Sequence, residues 1–276
     1  MEVILAESLG FCYGVKRAIK IARESASADG TACTLGPIIH NPQMVAQLAE
    51  EGIGKVDDLS ELDAGRIIIR SHGVGPNIYE SAEEKGLELV DATCPHVRRA
   101  QMAAHELAEE GYRVVIIGEK RHPEVKSIVE WSGDQAVVVE TEEEAEALGS
   151  IGRLGVVAQT TFSGEKFKSI IAILLDKSND VRILRTICNA TDQRQTAALS
   201  LAGEVDLMLV IGGKNSANTT RLAQLCAMKC QTYHIETAAE LQDEWFDKIN
   251  KIGITAGAST PDWVIKEVYQ KCKNKT

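Results

Sequence analysis

The sequence is short of several things, and each absence removes a class of function. The N-terminal segment MEVILAESLG has no basic stretch leading into a long apolar core, and no run approaches the roughly 20 apolar residues that a membrane-spanning helix needs. A cytoplasmic protein with no membrane partner is the expectation. Positive charge is in deficit: 30 Lys and Arg stand against 40 Asp and Glu, a formal net charge of −10. A general nucleic-acid surface needs clustered cations to neutralise phosphates, so no nucleic-acid partner is expected. The seven cysteines include no compact C-x-x-C pair, and no G-x-G-x-x-G nucleotide fingerprint occurs. An odd cysteine count without an export signal reads as thiols or metal ligands rather than a disulfide framework.

What is present is an alternation. Apolar, β-branched runs (EVILAE, CTLG, RIIIRSH, LELVDAT, YRVVIIG, AVVVE, LGVVAQT, VRILRT, DLMLVIGG, QTYHIE, GITAG) are separated by helical patterns over the whole 276 residues, which predicts an α/β fold with mostly parallel strands. Three cysteines, Cys12, Cys94 and Cys188, each follow a strand and precede a helix. The helices after Cys94 and Cys188 match at Gln101/Gln195, Ala103/Ala197 and Ala104/Ala198. His40, His122 and Ser216 each stand 28 residues beyond one of the cysteines. Candidate helix starts with a cap residue and a following glutamate recur at Asp58–Glu61, Thr141–Glu144 and Thr237–Glu240. Each unit closes on a polar strand end, around His72, Thr160 and Ser259. The expectation is three pseudo-symmetric α/β lobes with small sheets, at 1–86, 87–179 and 180–276, in which the N-terminal strand at 1–9 can pair with the third lobe.

In parallel sheets ligands bind beyond the carboxyl ends of the strands, where all of these positions fall. A threefold arrangement would bring the three cysteines together with the polar loops around them. Thiolates at helix N-termini gain from the helix dipole, which favours the metal-binding form. Structural zinc closes with four ligands, whereas iron-sulfur clusters are held by thiolates, so three separated cysteines suggest a cluster with one open iron. A three-cysteine zinc hydrolase and a threefold binding module without catalysis are the alternatives. Cys226 and Cys230 lie near Leu222 and Leu225 on an apolar helix face. Cys33 begins a strand, and Cys272 lies in a Lys-rich tail; neither has a counterpart in the repeat. His40, His72 and His122, with Ser216, Asn218, Ser259 and the glycine-rich GGKNSANT turn, suit an anionic ligand. Glu124, in KRHPEV, reads either as a proton donor or as a solvated glutamate of a first helical turn.

GFCYGVKRAI, GPIIHNPQ, RSHGVGP, DATCPHV, GEKRHPEV, AQTTFS, TICNATDQRQ, GGKNSANT and TAGAST, in this order, resemble the 4-hydroxy-3-methylbut-2-enyl diphosphate reductase family over nearly the full chain. The resemblance implies three lobes around a central iron-sulfur cluster. It also implies two-electron removal of the allylic hydroxyl of a diphosphate substrate, giving isopentenyl and dimethylallyl diphosphate at the end of the non-mevalonate isoprenoid route. Cys12, Cys94 and Cys188 would hold one 4Fe-4S cluster with one open iron. His40, His72, His122, Ser216, Asn218 and Ser259 would grip the diphosphate, and Glu124 and Thr160 would deliver the proton. Electrons would come from a reduced ferredoxin or flavodoxin. One departure is Ala217, where the family commonly carries a second serine in NSSN.

Overall fold

The structure, a computed structural model, describes residues 1–29, 32–133 and 136–275. Strands and helices alternate as β1 (Glu2–Leu5), α1 (Tyr13–Asp29), β2 (Ala32–Leu35), α2 (Pro42–Glu50), β3 (Ile53–Val56), β4 (Arg66–Ile69), α3 (Pro76–Glu84), β5 (Glu88–Asp91), α4 (Pro95–Glu109) and β6 (Arg113–Ile117). They continue as α5 (Pro123–Trp131), β7 (Val137–Val139), α6 (Glu142–Glu146), β8 (Arg153–Ala158), α7 (Gly164–Leu175), β9 (Asp180–Ile183) and α8 (Asn189–Ala202). The last elements are β10 (Leu207–Ile211), α9 (Ala217–Ala227), β11 (Gln231–Ile235), β12 (Lys251–Ala256) and α10 (Asp262–Lys273). Among the described residues no helix is long and apolar enough to cross a membrane.

The strands build three lobes, each with a four-stranded sheet ordered β3-β2-β4-β5, β7-β6-β8-β9 and β1-β12-β10-β11. Every pairing is parallel. The strand ahead of each cysteine closes a sheet of other strands: β5 lies on β4, β9 on β8, and β1 on β12. The first two sheets therefore run one strand past the expected lobe edges at 86 and 179, and Glu2–Leu5 joins the third. The apolar runs do not announce β3, because Gly54 and Lys55 interrupt it and only Ile53 and Val56 are buried. At Asp58 and Thr237 the cap-and-glutamate pattern forms complete capping boxes, but on single turns of 3-10 helix at Leu59–Glu61 and Ala238–Glu240.

The chain divides into two compact units, residues 1–16, 39–47 and 189–276 in one and residues 17–38 and 48–188 in the other. In the first, β10 shows why the runs are apolar throughout. Leu207, Leu209 and Ile211 pack toward Val264, Ile265 and Val268 of α10, while Met208 and Val210 face Leu201 of α8 and Leu222 of α9. With helices on both faces, alternate residues on either side of a strand are buried, which erases the usual polar alternation. The second unit repeats this on β6 and β8. Val115, Ile117 and Val156 pack with Phe167, Ile170 and Leu174 of α7, and Val114, Ile116 and Val157 with Leu107 of α4 and Ile128 of α5. In its other sheet, Leu35, Ile67 and Ile69 pack with Ala82 of α3.

Candidate active site

The repeat is visible in one hydrogen bond made three times. In the second unit the Cys94 amide donates to Ser71 O at 2.9 Å and the Cys188 amide to Thr160 O at 2.8 Å. In the first unit the Cys12 amide donates to Ala258 O at 3.1 Å. Each acceptor belongs to a polar strand end, so a parallel strand hands the chain to the cysteine and a helix takes it over: Cys94 is the N-cap of α4 with Pro95 following, and α1 and α8 begin one residue after Cys12 and Cys188. These bonds align Thr160 with Ser71 and Ala258, and Thr161 with His72 and Ser259. The strand ends thus match one residue away from the grouping of His72 with Thr160 and Ser259.

The seven cysteines fall into two kinds. Cys12, Cys94 and Cys188 are half-buried at helix starts. Cys226 and Cys272 are buried in apolar packing, where desolvation pushes their thiols up to about 12 and about 11. Burial also raises the Cys230 thiol, and Cys33 is half-buried in β2. A soft metal centre takes thiolates, so the donor chemistry favours the first kind.

Glu124, in the first turn of α5, is 2% exposed, which corrects the solvated alternative. The Thr160 amide donates to Glu124 Oε1 at 2.6 Å and Thr160 Oγ1 to Oε2 at 2.9 Å. Burial pushes the carboxyl up to about 7; the two Thr160 bonds oppose the rise and the Glu119 charge adds to it. A carboxyl poised there is protonated for a large part of the time at neutral pH and can act as an acid. His122 caps the same helix, its Nδ1 accepting the Glu124 amide at 3.2 Å. An accepting Nδ1 carries no hydrogen, so in this tautomer Nε2 is the donor. The His72 and His122 rings meet edge-on with centroids 5.6 Å apart.

In the first unit, Asn41 caps α2 through Oδ1, which accepts the Met44 amide at 2.8 Å. Ser259 Oγ donates to His40 O at 3.1 Å, fastening the His40 turn to the end of β12. Ser216 caps α9 and accepts from Thr219 N–H at 3.4 Å and Thr219 Oγ1 at 3.1 Å, which leaves its own hydrogen available. Asn218 Nδ2 is buried and finds no partner among the described residues. A buried amide donor left open marks a place where a ligand or water completes the bonding. The helix start is approached through Gly212, at φ 145°, where a Cβ would come within 2.6 Å of Thr260 Oγ1. The Ala217 side chain lies outside the described residues.

Several supporting residues were not legible as such. Thr186 Oγ1 donates to Ala158 O and accepts the Ala158 amide at 2.8 Å, pinning the segment before Cys188 to the end of β8. Arg17 donates to Thr93 O at 3.0 Å, next to Cys94, and buried Arg194 donates to Gly10 O at 2.8 Å, two residues before Cys12. The only signal for these was proximity to the cysteine motifs.

Comparison with known proteins points to one family. The family model described as LytB protein matches residues 3–273. The 4-hydroxy-3-methylbut-2-enyl diphosphate reductase of Pelobacter propionicus is 51% identical, with 97% of this chain aligned to 96% of that one. That of Geotalea uraniireducens is 49% identical over 98% and 96%. A solved structure of (E)-4-hydroxy-3-methyl-but-2-enyl diphosphate reductase, the terminal enzyme of the non-mevalonate pathway, superposes with a TM-score of 0.75 at 45% identity, covering 99% of this chain and 100% of that one. The E-1-hydroxy-2-methyl-but-2-enyl-4-diphosphate reductase of Plasmodium falciparum gives 0.92 at 30% identity, covering 99% and 87%. The chain belongs to the LytB family, whose named members here are 4-hydroxy-3-methylbut-2-enyl diphosphate reductases.

Proposed function

We propose that this chain is a 4-hydroxy-3-methylbut-2-enyl diphosphate reductase, an iron-sulfur oxidoreductase acting at the last step of the non-mevalonate route. Two electrons and two protons convert the allylic alcohol to isopentenyl or dimethylallyl diphosphate and water; the C–O bond breaks and a C–H bond forms. The observation that carries the reading is Glu124, buried, raised to about 7 and locked to Thr160, on a chain about half identical to named reductases over almost its whole length.

Cys12, Cys94 and Cys188 are the proposed ligands of one 4Fe-4S cluster with an open iron. Their support is the repeated amide bond, the helix that follows each, and the contrast with the buried thiols of Cys226 and Cys272. When bound, such a cluster supplies electron relay and a Lewis-acidic position.

The side chains do the rest. Diphosphate binding is assigned to His40, His72, His122 Nε2–H, Ser216 Oγ–H, Asn218 Nδ2–H and Ser259. The start of α9 adds the positive end of its dipole. Ser259 spends its hydrogen on His40 O and has to turn from it to donate to a phosphate oxygen. For the leaving hydroxyl, the proton sits on Glu124 Oε2. In the structure Thr160 Oγ1 donates to this oxygen; once Oε2 carries the proton, the hydroxyl turns its hydrogen to the departing oxygen, accepts the Glu124 proton and gives up its own. Meanwhile the Thr160 amide holds Oε1 and keeps the carboxyl from rotating.

A reduced ferredoxin or flavodoxin is the proposed electron donor, in keeping with a sequence that has no G-x-G-x-x-G of its own, and the cytoplasm the proposed location. Anaerobic purification followed by iron and sulfide analysis and turnover with a viologen reductant tests the reading. Protein that contains iron, sulfide and activity is expected; freshly prepared protein without iron and sulfide overturns it.

A further inference from the structure

Helix α5 grips the chain around His72 with one face. Ser127, Glu130 and Trp131 are spaced i, i+3, i+4, so they line up on one side of the helix. Ser127 Oγ lies 3.3 Å from His72 O, and Trp131 Nε1 donates to Val74 O at 2.9 Å. Gly75 lies flat on Glu130, where a Cβ would come within 2.7 Å of the Glu130 Cβ. Behind this contact stands Gln101 of α4, fully buried, whose Nε2 donates to Ser127 Oγ at 2.9 Å. Gly73, at φ 71°, is laid so close that a Cβ would come within 2.3 Å of Gln101 Nε2.

Ser127 has one hydrogen and two carbonyls to satisfy, because Oγ also lies 2.7 Å from Glu124 O in its own helix. Gln101 fills an acceptor position on that oxygen and thereby turns the hydrogen toward the two carbonyls. One hydroxyl therefore bridges the backbone of His72 and that of Glu124.

We propose that Ser127 and Trp131, backed by Gln101, are positioning residues that hold His72 in register with His122 and Glu124, so that the anion-binding histidines and the acid act on one substrate molecule. This rests on the assignment of the histidines to diphosphate. Fixed geometry matters here because a ligand gripped by preorganised donors pays less ordering cost on binding.

The test is calorimetric titration of the anaerobically prepared holoenzyme with inorganic diphosphate, together with kcat, KM and melting temperature. Ser127→Ala and Trp131→Phe should each weaken diphosphate binding and raise KM about fivefold, the effect of one lost hydrogen bond. The visible spectrum should stay unchanged, and Ser127→Thr should restore binding. Ser132→Ala is the control: it removes a bond from Ser132 Oγ to Val129 O just past Trp131 at the end of the same helix, without touching the chain around His72, and should leave diphosphate affinity alone whatever it does to melting. If both variants bind diphosphate as the unaltered enzyme does, or if Ser132→Ala weakens binding as much, the positioning role is wrong. If the unaltered holoenzyme does not bind diphosphate, the histidine assignment fails and the proposal with it.

Discussion

The turns at Cys94 and Cys188 both give the cysteine amide to a strand-end carbonyl, yet the first is braced by charge and the second by a hydroxyl. Ahead of Cys94, Asp91 accepts the Thr93 amide at 2.8 Å and pairs with Arg98, which also lies over the rings of Tyr79 and Trp131. Ahead of Cys188, one Thr186 hydroxyl serves both the amide and the carbonyl of Ala158. The strand ends differ in the same way. Ser71 Oγ donates to Ile38 O at 2.9 Å and serves the backbone, while its counterpart Thr160 holds the buried acid. One backbone scaffold thus carries two chemistries, and the side chains around the shared bond decide which.

The largest expected effect asks whether the two turns are equal where the sulfur matters. Cys94→Ser and Cys188→Ser should both lose most bound iron and sulfide, whereas Cys226→Ser should retain them. Serine is a good N-cap, so the Cys94 variant should keep its melting temperature without metal. Equal iron loss in the Cys226 variant would mean that the wrong thiols had been assigned.

Next comes the acid that distinguishes the two strand ends. Glu124→Gln should cut kcat by about a hundredfold or more, in the usual range for a lost general acid, with iron content and KM nearly unchanged. The unaltered enzyme should lose activity as pH rises above about 7, and this limb should vanish in the variant. The same group governs stability. Its carboxyl keeps the proton up to about 7 in the folded chain against an ordinary 4.5, so the folded state is increasingly penalised as pH climbs through that window. Glu124→Gln should therefore melt higher than the unaltered protein at pH 8 and gain nothing at pH 4; a gain at pH 4 of the same size would refute the burial argument.

The two braces give the smallest effects. Thr186→Val strands a buried amide and carbonyl and should cost about 2 kcal/mol in denaturant unfolding, independent of salt. Arg98→Met should cost about 1 kcal/mol, less at high salt, because its partly exposed ion pair is screened. Matching salt responses in the two variants would erase the distinction between the braces.

Much of this architecture is written locally. Continuous β-branched runs such as RVVII and LMLVI announce parallel strands covered on both faces, and the three cysteines mark where strand gives way to helix. β3 escapes notice because an edge strand needs only a few buried residues, and IGKV supplies two. The Asp58 and Thr237 caps look like helix starts, but extended backbone at Leu62 and Leu241 stops each after one turn. Glu124 and Ser127 show the limit most clearly. Their spacing puts them in the same first turns of α5, but the burial of one and the double duty of the other depend on Thr160, Gln101 and His72, which only the tertiary fold brings to them.

The hydrogen bond from Cys12 to Ala258 has a consequence for the order in which the molecule is made. Cys94 and Cys188 reach back to carbonyls already synthesised, so both turns can close while the chain is still being translated. Cys12, the first of the three to leave the ribosome, waits for β12 and the residues just after it, since both its amide and strand β1 find their partners there. The earliest cysteine is the last to be set in place, and any ligand set that includes it is complete only once β12 and the turn after it have been made.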